Sequence, residues 1–203
     1  MQAMSEHSSA IGPRFEEALV YALHAHDGHA RKGSNVPFVS HLLGVCALVL
    51  EDGGNEDEAI GALLHDAVED QGGLERLDDI RSRFGERVAR IVEECSDSFE
   101  TPKRPWRERK DAYIAHLDEA SPEATRVSLA DKVYNARTIL DDYRQLGDAL
   151  WERFTASREE TLWYYRSLTN GYSRLRPGPL ASELERIVSE LEQAIAQASP
   201  MTA

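Results

Sequence analysis

Apolar residues recur along most of the chain at spacings of three and four, the pattern of amphipathic helices. The clearest example lies between residues 59 and 70, where Leu63, Leu64, Ala67 and Val68 would pack against a core. No Asn-Gly or Asp-Gly pair is flanked by alternating apolar residues, so the sequence carries no convincing hairpin signal. The pattern therefore predicts an all-α fold.

Capping and breaking residues place the ends of about eight helices. Pro37 suits the first turn of the second helix, and Asn55 with Glu58 forms a capping pair for one helix that stops near Gly72-Gly73. Ser121-Pro122-Glu123 opens a helix that runs to about Leu146. The first helix is expected over 14–30 and the last two over 148–175 and 180–197.

The chain length of 203 residues suits one domain with a sizeable core. We expect a single helical bundle over residues 14–197. Loose ends are expected at 1–13 and 198–203, which lack apolar periodicity.

Composition narrows the class of partner. Hydrophobic residues make up 41% and charged residues 29%, and the net charge is −13, which disfavours a nucleic acid polymer or an anionic membrane but permits a small anionic substrate. The longest run without Asp, Glu, Lys or Arg, residues 34–50, is too short and polar to span a bilayer. Cys46 and Cys95 do not make a disulfide framework, Cys46 reads as a core residue, and a cytoplasmic location is expected.

The adjacent pair His65-Asp66 is the strongest chemical signal. Residues four apart share a helix face, so His65 would lie near Glu69, and Asp66 near Asp70. Several acids on a partly buried helix are costly unless a cation offsets them. Taken separately, Glu69 and Asp70 have the ordinary explanation of a solvated acidic helix end, and a His-Asp dipeptide is common by chance.

Two further segments complete the set. Asp131, Asn135 and Thr138 follow a spacing of four and three, which lines them along one face beside an apolar stripe. His41 lies upstream on a mostly apolar helix, where a lone histidine is more often a packing residue. Together with His65 and Asp66, they offer two imidazoles and two carboxylates, a set suited to one divalent metal with room for water.

Basic residues are the remaining candidates. Arg31 and Lys32 follow the first helix, where they could contact phosphates or stack on a base, or simply be solvated at a helix end. Residues 103–110 hold five cations and could rim an anion site or begin a solvated helix. Trp163 to Arg166 could help to close a pocket, although an aromatic core stripe is the simpler interpretation.

The motifs in order resemble those of the HD-domain hydrolases of the RelA/SpoT type, and most of all the small alarmone hydrolases. They are Ala25-His-Asp-Gly-His-Ala-Arg-Lys-Gly33, Pro37-Phe-Val-Ser-His41, His65-Asp-Ala-Val-Glu-Asp70 and Leu129-Ala-Asp-Lys-Val-Tyr-Asn-Ala-Arg-Thr138. The resemblance covers about residues 14–170 and implies an all-α HD domain around one divalent metal, commonly Mn²⁺. It also implies hydrolysis of guanosine tetra- or pentaphosphate with release of the 3′ pyrophosphate. The length leads us to expect no synthetase or regulatory region.

The resemblance also implies roles. It makes His41, His65, Asp66 and Asp131 the metal ligands and gives Glu69 and Asp70 the activation of the attacking water. Arg31 and Lys32 would contact the base, and Asn135 and Thr138 the nucleoside side of the pocket.

Several positions depart from the family pattern without touching a proposed ligand: His29, Leu42, Gln71 and Tyr134. Of the implied properties, base specificity is the one that these changes affect most, because His29 adjoins the base-contact loop. Two other functions therefore stay open: the same chemistry on another nucleotide phosphate such as NADPH, and a non-catalytic module that senses a nucleotide.

Overall fold

The computed structural model describes residues 11–70, 72–96 and 104–198, which are almost wholly helical. The α-helices in chain order are α1 (Pro13–Ala25), α2 (Val39–Glu51), α3 (Glu56–Leu64), α4 (Ala67–Asp70), α5 (Gly73–Phe84), α6 (Glu86–Cys95), α7 (Trp106–Ala115), α8 (Pro122–Leu146), α9 (Arg158–Leu175) and α10 (Pro179–Ala198). Short 3-10 helices cover Leu117–Glu119 and Gly147–Arg153. The predicted all-α class is confirmed.

The longest helix, α8, is the centre of the packing. It contacts α2, α3, α6 and α10, and buries the predicted apolar stripe of Leu129, Val133, Ala136 and Leu140. Helices α2 and α3 pack on each other as well as on α8. Because α2 and α3 both pack on α8, a polar side chain on the inner face of α8 can reach residues from α2 and from the end of α3.

Two of the predicted helix N-caps are present in the structure, where a side chain accepts hydrogen bonds from the first free backbone amides. The side chain of Asn55 accepts from the amides of Asp57 and Glu58, while Glu58 Oε2 accepts from the Asn55 amide at 2.9 Å. Ser121 Oγ accepts from the Ala124 amide at 3.2 Å at the start of α8. Both start signals read from the sequence are confirmed.

The single helix predicted from residue 55 to 72 is wrong, because the structure interrupts it at His65 and Asp66. His65 Nδ1 bonds the Ala62 carbonyl at 2.8 Å, the acceptor that the amide of residue 66 would use in a continuous helix. The interruption separates α3 from α4 and sets the His-Asp pair in a turn.

The predicted helix over 148–175 also differs. Gly147, at φ 59°, ends α8, and the 3-10 helix Gly147–Arg153 follows before α9 begins at Arg158. Ser157 and Glu160 form a capping box that starts α9, a signal present in the sequence that our prediction overlooked.

The first helix ends at Ala25, five residues earlier than predicted, and a turn-rich loop follows it. An isolated bridge joins Ala30 to Pro37, with the Arg31 amide donating to the Val36 carbonyl at 2.8 Å. Gly33, at φ 74°, makes the turn between them. The bridge fixes the base of the segment that carries Arg31 and Lys32.

A buried ion cluster ties α2, α3 and α8 together. Glu58 is only 2% exposed and pairs with the Arg126 guanidinium, whose Nε also donates to Asp52 Oδ2 at 3.1 Å. Arg176 pairs with the same Asp52 carboxylate. Removing Arg126 would leave the buried Glu58 carboxylate uncompensated, so this pair helps to fix how α3 packs on α8. Among the described helices, none has the length and apolar character needed to cross a membrane.

We expect Gly61→Ala to destabilise the fold by about 1–3 kcal/mol, the usual cost of overpacking, because a Cβ at Gly61 would lie 2.6 Å from Ile91 Cγ2. This cost exceeds the gain of up to about 1 kcal/mol from replacing a helical glycine. Gly178→Ala is the matched control, since nothing lies within 4 Å of its Cβ position. Denaturant titration of both variants measures the difference, and equal stabilities would contradict this account of α3–α6 packing.

Candidate active site

Four side chains from three parts of the fold converge on one point. His41 comes from α2, His65 and Asp66 from the turn after α3, and Asp131 from α8. The Nε2 atoms of His41 and His65 are 3.2 Å apart. Asp66 Oδ2 lies 3.3 and 3.2 Å from those two nitrogens, and Asp131 Oδ1 lies 3.3 and 3.7 Å from them. The structure thus brings together all four predicted metal ligands.

Neighbouring groups orient these side chains. Because the Ala62 carbonyl accepts from His65 Nδ1–H, the Nε2 atom of His65 points into the cluster. Asp131 Oδ1 accepts from the Asn135 side-chain amide, and Asp131 Oδ2 accepts from Lys132 Nζ at 2.6 Å. The carboxylate of Asp131 is therefore held by two donors from its own helix.

The electrostatics of the cluster are those of closely packed opposite charges. Burial opposes the imidazolium form of His65, but Asp66 and Asp131 raise its pKa well above the usual value. Burial likewise opposes ionisation of Asp66, yet His65 and His41 hold its pKa well below the usual value. For His41, burial dominates and lowers the pKa. The carboxylates thus stay ionised and attract a cation.

The donor set fits a divalent metal. Ligand bonds of about 2.0–2.2 Å place neighbouring donors about 3 to 3.6 Å apart, which is close to the spacings in the cluster. His41, His65 and Asp66 alone already place one ligand atom each within 4.8 Å of the others. The inward-facing nitrogens and ionised oxygens are a mixed N/O set of the kind that binds Mn²⁺, Zn²⁺ or Fe²⁺. The cluster is a possible metal-binding group.

A cavity of about 260 Å³ opens onto this cluster. Glu69 lines it, half-buried, one turn after His65, as the sequence predicted. Asp70 ends α4, and its side chain lies outside the part of the chain that the structure describes. Lys110 and Lys132 also line the cavity, so two lysines border the same space as the carboxylates.

A second cavity, of about 430 Å³, adjoins the first and shares Arg31, Phe38 and Asn135 with it. All four residues predicted to bind substrate line this second cavity: Arg31, Lys32, Asn135 and Thr138. Arg31 Nη2 donates to Asn135 Oδ1 at 2.8 Å, and the Arg31 guanidinium lies 5.7 Å from the centre of the Tyr134 ring. Polar side chains therefore line the passage from the metal-binding group into the larger cavity.

Some residues at these cavities were missed from the sequence. Lys132 follows Asp131 directly, and its burial beside a carboxylate could not be read from a helical pattern in which a lysine is usually solvated. Phe154 lines the larger cavity, and no signal in the sequence pointed to it. Tyr165 also lines this cavity, and it belongs to the Trp163–Arg166 segment that could help to close a pocket.

The cations of the basic segment 103–110 lie in different surroundings. Lys103 lies outside the described residues, whereas Lys110 reaches the smaller cavity. The Arg107 guanidinium lies 3.4 Å from the centre of the Trp163 ring and pairs with Asp111. His26 is buried and stacked on Phe38, and burial lowers its pKa to about 4.

Comparison of the sequence with known proteins points to one family. A family model described as "HD domain" matches residues 18–162. The guanosine-3′,5′-bis(diphosphate) 3′-pyrophosphohydrolase MESH1 of Mus musculus is 37% identical over 126 residues, covering 61% of this chain and 68% of that protein. The bifunctional (p)ppGpp synthase/hydrolase SpoT of Escherichia coli K12 is 29% identical over 180 residues, which cover 86% of this chain but 23% of SpoT.

Solved structures share the fold. A metazoan ortholog of SpoT, described as hydrolysing ppGpp and acting in starvation responses, matches with a TM-score of 0.73 at 24% identity over 93% of this chain and 99% of its own. A Listeria monocytogenes protein matches with a TM-score of 0.67 at 28% identity over 75% of this chain and 99% of its own. With its family model spanning most of its length and its His and Asp side chains gathered at one point, this chain belongs to the HD domain family.

Proposed function

We propose that this protein is a metal-dependent hydrolase that removes pyrophosphate from the 3′ position of guanosine 3′,5′-bis(diphosphate). The observation that carries the proposal is the convergence of His41, His65, Asp66 and Asp131 beside two connected cavities. The relatives named for this reaction support the choice of substrate. The catalytic unit would be residues 14–197. Both cysteines are free thiols, in keeping with a reducing cytoplasm, where we place the enzyme.

In this proposal the four convergent side chains are the ligands of one divalent cation, with Mn²⁺ the preferred ion. When bound, such a cation polarises a phosphoryl oxygen and lowers the pKa of a water molecule. Asn135 and Lys132 would keep the Asp131 carboxylate in place through their hydrogen bonds to its two oxygens.

Glu69 would act as the general base, with Asp70 as its acidic partner. The half-buried carboxylate of Glu69 lines the smaller cavity and would take the proton from the attacking water. The new bond forms between the water oxygen and the phosphorus attached to the ribose 3′ oxygen. The bond from that phosphorus to the 3′ oxygen breaks, and the 3′ oxygen leaves with a proton.

The two cavities would divide the nucleotide between them. Lys110 and Lys132 would neutralise the charge of the 3′ diphosphate in the smaller cavity. Arg31 and Lys32 would hold the base in the larger one, where the planar Arg31 guanidinium can stack on a ring. Asn135 and Thr138 lie between the two ends of the site and would contact the ribose.

Incubation of the purified protein with guanosine 3′,5′-bis(diphosphate) and Mn²⁺ should release pyrophosphate and GDP, as measured by chromatography and a pyrophosphate assay. A parallel panel includes NADPH and other nucleotide phosphates. Turnover of a panel member without turnover of the guanosine compound would replace the substrate and keep the chemistry. Tight nucleotide binding with no turnover of any compound, in metal-loaded protein, would contradict the enzyme itself.

His65→Ala should abolish stoichiometric binding of Mn²⁺ because it removes the nitrogen that the Ala62 carbonyl holds toward the cluster. Metal content after dialysis, measured by elemental analysis, is the readout and does not depend on activity. His24→Ala is the control, since His24 is exposed on α1 away from the cluster. Full metal content in the His65 variant would show that His65 is not a ligand.

Glu69→Gln should retain the metal and lower kcat by about 10²–10⁴-fold, the usual contribution of a general base. The amide keeps the size of the side chain but cannot take a proton. Glu75→Gln, at an exposed position on α5, provides the control. A rate near that of the wild type in metal-loaded Glu69→Gln would remove Glu69 from the mechanism.

A further inference from the structure

The polar stripe on α8 extends beyond the residues already discussed. Asp131, Asn135, Thr138 and Asp142 are spaced by four, three and four, so they follow one another along a single helix face. Asp131 lies at the metal-binding group, and Asp142 lines the larger cavity with Asn135 and Thr138. A nucleotide whose 3′ phosphates lie at the Asp131 end would therefore have its base toward the Asp142 end.

Asp142 is chemically distinct among the residues that line the larger cavity. Arg31 and Lys32 only donate hydrogen bonds, and the hydroxyl and amide groups there can both donate and accept. Within the described lining, Asp142 is the one carboxylate, a group that when ionised only accepts. It is thus the residue best able to distinguish bases by where their donors lie.

One oxygen of the Asp142 carboxylate accepts from Arg153, and the other is available to a ligand. Arg153 Nη1 donates to Asp142 Oδ2 at 3.3 Å, and both side chains are partly exposed. Among the described residues, Oδ1 has no hydrogen-bond partner. Arg153 also packs tightly against the turn that carries Arg31 and Lys32, since a Cβ at Gly33 would lie 2.5 Å from Arg153 Cδ. The pair therefore fixes Asp142 relative to the loop on the opposite side of the cavity.

From this placement we infer that Asp142 determines base specificity by accepting hydrogen bonds from the Watson–Crick edge of guanine. Guanine presents two adjacent donors there, N1–H and the N2 amino group, and one carboxylate can accept from both. Adenine presents an acceptor at N1, which would face a carboxylate oxygen with no proton between them. The inference rests on the proposed function, because it places the phosphates of the nucleotide at the metal-binding group.

The test compares kcat/KM for guanosine and adenosine 3′,5′-bis(diphosphate) in the wild type and in Asp142→Asn, Asp142→Ala and Asp141→Asn. The wild type should prefer guanosine, and both Asp142 variants should lose about 5–150-fold of that preference, the usual value of a bidentate base contact. Asn should also improve the relative use of adenosine, since its amide can donate to N1 and accept from N6. Asp141, exposed and pairing with Arg144, is the neighbouring control and should leave the ratio unchanged.

An unchanged guanosine-to-adenosine ratio in both Asp142 variants would overturn the inference. If kcat/KM also fell equally for both substrates, Asp142 would only support Arg153. Calorimetric binding of GDP and ADP to the same proteins separates this inference from the proposed reaction. If the wild type hydrolyses neither tetraphosphate yet prefers GDP through Asp142, the reaction fails and the specificity stands; if GDP and ADP bind equally to the wild type and the variants, the specificity fails.

Discussion

The structure depends on keeping two imidazoles 3.2 Å apart, with two ionised carboxylates each 3.2–3.7 Å from the imidazole nitrogens, at a largely buried point. Burial of such charges is costly, and the protein offsets it locally through Lys132 on Asp131 and through hydrogen bonds that fix the His65 ring and the Asp131 carboxylate. A cation at the same point would complete the neutralisation. The packing of α2, the α3–α4 turn and α8 is therefore under one constraint, which is to aim four donor atoms at one small volume.

Hydrogen bonds of Asn135 also connect that point to the larger cavity. Asn135 donates to Asp131 through its amide nitrogen and accepts from Arg31 through its amide oxygen. A single side chain thus joins the metal-binding group, α8 and the loop after α1. A movement of Arg31 would reach Asp131 through these two hydrogen bonds, so the proposed function would link nucleotide binding to metal binding. The Ala30–Pro37 bridge holds the base of the loop that carries Arg31.

Much of this could be predicted from the sequence. The helical class follows from apolar spacing, and the convergence of His41, His65, Asp66 and Asp131 was expected from residue types and family motifs. The break between α3 and α4 was not, because the capping residues at Asn55 and Gly72 bracket one uninterrupted apolar pattern. It arises from a bond between the His65 ring and a backbone carbonyl, and helical periodicity does not register a side chain that competes for the backbone. Lys132 and Asp142 were missed for a related reason: a charged residue on a helix reads as solvated until its neighbours in space are known.

Close approach of α2 and α8 supplies the last element of the site, and it depends on a glycine. A Cβ at Gly44 would lie 2.0 Å from Tyr134 Cε2, so only glycine leaves room for that ring. Gly44 lies three residues after His41, and Tyr134 lies three residues after Asp131, which puts their contact one turn beyond the pair of proposed ligands. The Tyr134 ring lies edge-on to His41 at 5.1 Å and beneath the Arg31 guanidinium at 5.7 Å. Because Gly44 admits Tyr134, one aromatic ring buttresses both the His41 imidazole and the Arg31 guanidinium, and the spacing between the two cavities depends on how closely these two helices approach.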